Sequence, residues 1–200
     1  MRFRIVGLIL VAAASLSLQA VAPSCNKCSA TYVPASEINA YLKRAEEGSA
    51  KNIRLRDQAC RTVDAGKMNV GVGVVYRMKL TAPAPQSAAE HHLVSEVYHV
   101  IDGEATLVTG SDIDGLEERP ADDRAVKMLN GPGGNGSSIR NGVTHQLKAG
   151  DVIVIPAGVG HMFTRIDDHI RYLVIRLDPD KVVPLKSADQ SQADLQSAGK

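Results

Sequence analysis

The pattern of hydrophobic and polar residues changes once along the chain, near residue 53. Before this point, Ser36 can cap a short helix that ends at Gly48. The apolar residues of this helix have the spacing of one helix face: Ile38, Tyr41, Leu42 and Ala45. After residue 53 the apolar residues alternate with a period of two, which is typical of strands that bury one face.

The clearest predicted strand runs from Asn69 to Leu80. Alternate residues from Val70 onward are apolar, whereas the other face carries Gly71, Gly73 and Arg77. Two glycines on one face leave room for another group to approach the strand. Arg77 is also a candidate to bind a substrate carboxylate, because a planar guanidinium matches a carboxylate with two hydrogen bonds.

Many further short strands are predicted, with turn residues between them. A strand that ends at Val100 is followed by a turn at residues 102–103 and by a strand over 104–109. Later strands are predicted over 126–129, 143–147, 152–155, 162–166 and 170–177, with a flexible glycine-rich loop at 131–136 and a turn at 167–168. This spacing predicts an all-β sandwich or barrel.

The composition indicates one globular domain with additional segments at both ends. Of the 200 residues 44% are hydrophobic and 22% are charged, which is close to the average of globular proteins. We predict a signal peptide over 1–22, an N-terminal arm and helix over 23–60, the β domain over 61–185 and a disordered tail over 186–200. The tail is predicted to be disordered because it offers almost no apolar residues to bury.

The first residues have the layout of a secretory signal peptide. Arg2 and Arg4 precede an apolar run over 5–18, and small residues follow around Ala20, where we expect cleavage. The run is shorter than the ~20 residues of a transmembrane helix, so the mature chain is predicted to have no stable membrane span. A periplasmic or secreted protein is therefore expected, and an uncleaved membrane anchor is the alternative.

Three cysteines allow more than one arrangement in an oxidising compartment. One disulfide among Cys25, Cys28 and Cys60 would leave one thiol over. Alternatively, Cys25 carries a lipid after signal cleavage and the other two cysteines pair. The net charge of +1, the 4% aromatic content and the lack of a basic stripe argue against a nucleic-acid partner.

The candidate chemistry lies in two segments about fifty residues apart. His92, Glu96 and His161 offer imidazole nitrogens and a carboxylate, a set that suits a divalent transition metal such as Fe, Mn, Ni, Zn or Cu. In a strand, Tyr98 shares the face of Glu96 whereas His99 faces the other way. The phenol of Tyr98 is a candidate ligand or general acid/base.

These segments resemble the two sequence motifs of the cupin superfamily. The first cupin motif has His-x-His, three or four residues, Glu, six residues and Gly. Here three residues separate His92 from Glu96, and six separate Glu96 from Gly103. The residue two before His92 is Glu90 rather than His. A spacing of four intervening residues before Glu96 makes His91 the second histidine instead, so either Glu90 or His91 completes the site.

The second cupin motif has Gly, five residues, Pro-x-Gly, two residues, His, three residues and Asn. Gly150, Pro156, Gly158 and His161 match it, and Arg165 stands at the place of Asn. The resemblance implies a single cupin jelly-roll β-barrel that binds a metal and forms a homodimer. A barrel that has lost its metal is the alternative.

The resemblance also implies the kind of function. An exported metal-binding cupin enzyme would act on a small organic molecule as a dioxygenase, isomerase or lyase. Tyr98 and Arg165 are the candidate catalytic residues, and the Glu-x-Tyr arrangement is similar to that of some cupin lyases that act on sulfonium compounds. The alternative is a non-catalytic protein of the cell envelope that binds a small molecule or a metal.

Overall fold

The computed structural model describes residues 29–49 and 55–197. Within these ranges the chain forms, in order, α1 (Ala35–Ser49), β1 (Leu55–Asp64), β2 (Asn69–Leu80), β3 (Ala88–His91), β4 (Ser95–Gly110), β5 (Ile113–Asp114), β6 (Glu117–Glu118), a π-helical turn (Val126–Asn130), β7 (Gly133–Gly136), β8 (Ser138–Ile139), β9 (Val143–Lys148), β10 (Val152–Ile155), β11 (Gly160–Asp178) and α2 (Ala188–Ser197).

Two long strands hold the barrel together. β11 pairs with β2, β3 and β4, and β4 pairs in addition with β9 and β10, all antiparallel. β1 extends the sheet beyond β2, whereas β7 and β6 extend it beyond β3. The predicted all-β jelly-roll barrel with a short N-terminal helix is therefore confirmed.

Aromatic and branched side chains fill the barrel interior. The ring centroids of Tyr98 and Tyr172 are 4.4 Å apart, and the ring of Phe163 lies 6.0 Å from that of Tyr172. Aliphatic residues from four strands pack around these rings: Val75, Val100, Leu107, Leu147, Ile166, Ile170 and Val174. Burial of this apolar surface is the main stabilising contribution to the barrel.

The two longest strands cross positions where the sequence predicts turns. β4 continues through Gly103, which has a φ of +79°. A side chain there would clash with the carbonyl group of His169, so glycine lets β4 bend without ending. β11 likewise continues through residues 167–168, where the register of its pairing with β4 shifts. The predicted turns are thus bends within continuous strands.

The segment between β6 and β8 also differs from the prediction. Residues 126–130 form the π-helical turn rather than a strand, and much of the predicted loop at 131–136 forms β7. Gly134 permits this close packing, since an added Cβ would lie 2.6 Å from the carbonyl oxygen of Glu117. Glycine content alone suggested flexibility, whereas here it allows adjacent backbones to approach closely.

Helix α1 packs on the outer side of the barrel. Tyr41 and Leu42 pack with Cys60 of β1 and Val74 of β2, which confirms the predicted apolar stripe. Burial raises the pKa of the Cys60 thiol to about 12. The predicted signal peptide, lipid attachment at Cys25 and pairing of Cys28 lie outside the described residues. Neither α1 nor α2 is long and apolar enough to cross a membrane.

The tail predicted to be disordered instead contains α2, which docks against α1. Lys186 exchanges backbone hydrogen bonds with Thr62 of β1. Ser191 is fully buried, and its hydroxyl lies 2.8 Å from the hydroxyl of Tyr41. The Lys186 ammonium also donates to Asp194, at 2.7 Å. These contacts are polar, so the low apolar content of the tail did not reveal them.

Replacing Tyr41 with Phe tests whether α2 is docked. The buried hydroxyl contacts Ser191, Asp194 and Lys186, so we expect Tyr41→Phe to lower the free energy of unfolding by ~1–3 kcal/mol in urea titrations. Tyr32→Phe is the matched control, because Tyr32 is 82% exposed. Equal stabilities of the two variants would contradict the docking of α2.

Candidate metal centre

Three buried side chains converge inside the barrel. His91 ends β3, Glu96 lies near the start of β4, and His161 is the second residue of β11. Glu96 Oε2 lies 3.6 Å from His91 Nε2 and 3.6 Å from His161 Nε2. The ligand atoms of the three residues all lie within 4.8 Å of one another. The structure thus gathers two imidazoles and one carboxylate at one point.

Backbone contacts between neighbouring segments bring these residues together. β11 pairs with β3 through His161 and Ala89, and β10 pairs with β4 through Ile155 and Glu96. The turn between β10 and β11 is attached to β3, since the amide of Gly158 donates to the carbonyl oxygen of His91 at 2.9 Å. The two sequence motifs therefore meet through main-chain hydrogen bonds.

The structure places His91, rather than His92, beside Glu96 and His161. The side chain of His92 is 35% exposed, and its two ring nitrogens lie 2.7 Å from Glu90 and 2.8 Å from Glu118. Successive residues of a strand point to opposite faces, so a shift of one residue exchanges an inward for an outward histidine. Of the five predicted metal residues, Glu90 and His92 pair with each other outside the cluster.

Glu96 is an ionised carboxylate despite its burial. Burial alone would raise the pKa of Glu96, but the charges of His91 and Arg176 outweigh this effect and hold it well below its ordinary value. Arg176 Nε donates to Glu96 Oε1 at 3.0 Å. The other oxygen, Oε2, is the one that faces both histidines.

Arg176 reaches Glu96 because β2 has glycines beneath it. An added Cβ at Gly73 would lie 3.3 Å from Arg176 Nη1, and one at Gly71 would lie 3.2 Å from Arg176 Cβ. This arrangement explains the two glycines on one face of the predicted strand. No sequence motif includes Arg176, although it lies on the inward face of β11 with Tyr172.

His161 is a neutral imidazole at physiological pH. Burial, assisted by the positive charges of His91 and Arg77, lowers the pKa of His161 to about 4, although Glu96 acts in the opposite direction. A neutral imidazole offers a lone pair to a metal. Together with the His91 imidazole and the ionised carboxylate of Glu96, it supplies the mixed nitrogen and oxygen donors that suit a divalent transition metal. The residues present therefore fit such an ion.

Tyr98 lies beside the cluster and on the same side of β4 as Glu96. Its hydroxyl donates to Glu96 Oε2 at 2.7 Å, and its side chain is buried. Burial and the charge of Glu96 raise the pKa of Tyr98 well above its ordinary value, so the phenol keeps its proton. His99 is exposed on the opposite face, as the alternation predicts.

The cluster opens onto a cavity of about 850 Å³. Arg77 lies on the wall of this cavity with Phe163 and Tyr172. Its Nε donates to the hydroxyl of Tyr172 at 3.1 Å, and its guanidinium carbon lies 4.2 Å from the centroid of the Phe163 ring. Within residues 29–49 and 55–197, Arg77 forms no ion pair.

Arg165, predicted to be catalytic, lies outside the cavity. Its side chain is 68% exposed and pairs with Asp167 at 2.7 Å. The register of β11 shifts between Phe163 and Arg165, so the alternation that points His161 and Phe163 inward is interrupted. Ile166 is the next inward residue.

The adjacent histidines provide a direct test of the cluster. We expect His91→Ala to abolish stoichiometric binding of a divalent transition metal and His92→Ala to leave it unchanged, because only His91 faces Glu96. Elemental analysis of the purified, metal-loaded variants measures this difference. Loss of metal from His92→Ala with retention by His91→Ala would contradict the arrangement.

Comparisons with known proteins give partial matches. The family model of the AraC-like ligand binding domain matches residues 133–196. No curated protein matches the sequence.

Several solved structures resemble parts of this chain. The DMSP lyase DddQ from Ruegeria pomeroyi DSS-3 is 18% identical, over 66% of this chain and 51% of the lyase, with a TM-score of 0.37. An oxalate oxidase in complex with glycolate is 18% identical over 64% of this chain and 52% of its own, with a TM-score of 0.36. The EutQ protein of Clostridium difficile is 18% identical, over 63% of this chain and 69% of EutQ, with a TM-score of 0.34. The chain thus spans about half the length of the first two proteins.

The barrel and its motifs agree on one fold. In the first motif, four residues separate His91 from Glu96, and six separate Glu96 from Gly103. The second motif begins at Gly150 and reaches His161. His161 lies on β11 and pairs there with β3 of the same barrel. The chain therefore has the fold of the cupin superfamily.

Proposed function

We propose that this protein is an exported, metal-dependent cupin enzyme that acts on a small organic carboxylate as a lyase or isomerase. One observation carries the proposal: the His91–Glu96–His161 cluster and the Tyr98 hydroxyl share a cavity with the guanidinium of Arg77. Elimination and isomerisation both require a group that moves a proton, and Tyr98 can supply it.

The cluster is the proposed metal site. His91, Glu96 and His161 would hold a divalent transition metal, which would supply Lewis-acid chemistry when bound. Three protein ligands leave coordination positions for water or substrate. Arg176 orients Glu96 through Oε1 and leaves Oε2 directed at the histidines.

Arg77 is the proposed anchor for the substrate carboxylate. Its guanidinium has no carboxylate partner among the described residues, and Phe163 and Tyr172 hold it in place. A guanidinium can bind a carboxylate through two parallel hydrogen bonds. The volume of about 850 Å³ lies within the range of pockets for small molecules.

Tyr98 is the proposed acid/base residue. Its phenol is protonated at neutral pH because its pKa is raised well above the ordinary value. The proton now points at Glu96 Oε2, 2.7 Å away. A substrate atom bound beside the cluster would replace this oxygen as the acceptor of the Tyr98 hydrogen bond and could then receive the proton.

A non-catalytic binding protein is the second candidate function. The match of residues 133–196 to the AraC-like ligand binding domain favours it. Such a protein would hold a small molecule in the same cavity without converting it. Turnover distinguishes the two functions.

Paired arginine variants test the proposed substrate class. The metal-loaded protein is incubated with a panel of small carboxylates, and ¹H NMR follows their conversion. For a converted carboxylate, we expect Arg77→Gln to raise KM about 10- to 100-fold, whereas Arg165→Gln, on the outer surface, leaves KM unchanged. Tyr98→Phe should lower kcat about 10²- to 10⁴-fold with little change in KM.

Other outcomes would contradict the enzyme proposal. Carboxylates that bind without conversion would favour the second candidate function. A purified protein that takes up no stoichiometric metal under any loading would exclude both the metal site and the chemistry that depends on it.

Export and dimer formation are further parts of the proposal. The N-terminal residues 1–22 support export, and the intact mass of the mature protein would reveal their removal. Val152 and Val154 support a homodimer, because these valines of β10 are 61% and 62% exposed on one face.

Sedimentation measurements test the dimer surface. We expect the double variant Val152→Glu, Val154→Glu to sediment as a monomer, because two charges would have to be buried at the interface. Val143→Glu is the matched control on β9, since Val143 is 61% exposed. A double variant that sediments as the wild type does would contradict the proposed surface.

A further inference from the structure

We infer that Asn130 is a fourth protein ligand of the metal site, with its side-chain oxygen beside His91, Glu96 and His161, and that the remaining coordination positions stay open to substrate. This inference rests on the proposed metal site and assigns a ligand outside both sequence motifs. Asn130 is the last residue of the π-helical turn, which lies between β6 and β7.

The first motif lacks one of its histidines at Ala89. With His91 as its second histidine, the His-x-His pair places its first histidine at Ala89, which has no donor atom. Ala89 is the register partner of His161 and lies on the cavity wall. The barrel strands thus supply one ligand fewer than the full motif would.

Asn130 contacts the cluster from a different segment. Its Nδ2 atom lies 3.2 Å from His91 Nε2, the same nitrogen that lies 3.6 Å from Glu96 Oε2. The side chain is buried, with 8% of the residue exposed. A buried amide in contact with the ligand nitrogen is placed to share its metal.

The amide oxygen of Asn130 has no hydrogen-bond partner among the residues that the structure describes. Oδ1 is buried and unpaired, which is unfavourable for a polar atom. A half-turn of the amide exchanges nitrogen and oxygen, which have nearly the same shape. The oxygen would then lie beside His91 Nε2, where it would share a metal ion with that nitrogen.

The local backbone is suited to hold Asn130 in this position. π-Helical turns often occur at functional sites. Leu129 beside it is buried, and Gly131 has a φ of +65°, which directs the chain from the turn toward β7. A Cβ at Gly131 would lie 2.5 Å from Val182 Cγ2, so the backbone after Asn130 packs closely against Val182.

Cobalt(II) is a suitable probe, because its visible spectrum reports both occupancy and the ligand set. The full mature chain is freed of metal with a chelator and titrated with CoCl₂. We expect Asn130→Ala to weaken Co(II) binding at least 10- to 100-fold and to change the visible spectrum. Asn130→Asp, which keeps an oxygen at this place, should bind Co(II) at least as tightly as the wild type does.

Asn135→Ala is the matched control. Asn135 lies on the same cavity wall and also has a buried unpaired Oδ1, but its Nδ2 donates to the carbonyl oxygen of Gln86. We expect its Co(II) affinity and spectrum to equal those of the wild type. Thermal unfolding of each metal-free variant separates loss of a ligand from loss of the fold.

A second set of results separates this inference from the proposed function. If Asn130→Ala and Asn130→Asp both retain the wild-type Co(II) affinity and spectrum while His161→Ala loses Co(II), the metal site stands and Asn130 is not its ligand. Weaker binding by both Asn130 variants with an unchanged spectrum would also overturn the inference. If His161→Ala binds Co(II) as the wild type does, the proposed function itself fails.

Discussion

The ionised carboxylate of Glu96, buried in the barrel, is the constraint on which the rest of the site depends. An isolated charge in a protein interior costs several kcal/mol, so it persists only with nearby opposite charge and hydrogen bonds. Arg176 donates to one oxygen and Tyr98 to the other. Gly71 and Gly73 provide space for the Arg176 side chain. The glycines of β2 thus allow Arg176 to reach a carboxylate on a different strand, β4.

Local periodicity predicted most of the barrel because its strands bury one face. β2 begins and ends where the alternation indicates, and α1 has the apolar stripe of its sequence. The same rule failed where contacts distant in sequence decide the structure. β4 and β11 continue through predicted turns because each has pairing partners on both sides of the bend. A glycine or an aspartate pair cannot reveal those partners.

The candidate site was predictable in residue type but less so in orientation. Motif spacing selected His92, Glu96 and His161 and left Glu90 or His91 to complete the site, whereas the structure places His91 at the cluster and His92 outside it. That choice depends on where β3 ends, and a difference of one residue reverses the face. Arg165 lies outside the cavity for a related reason, since a register shift in β11 turns it outward. Asn130 belongs to neither motif and could not be selected from the sequence, because only folding brings it into contact with His91.

The cavity of the barrel depends on the docking of α2 against α1. Arg44 from the first helix and Asp194 from the second both line the cavity, and they pair at 3.2 Å. The two ends of the described chain therefore build part of the wall around the candidate site. Deletion of α2 would remove Asp194 from the cavity wall and so change the shape of the cavity, while His91, Glu96 and His161 keep their places on the barrel strands.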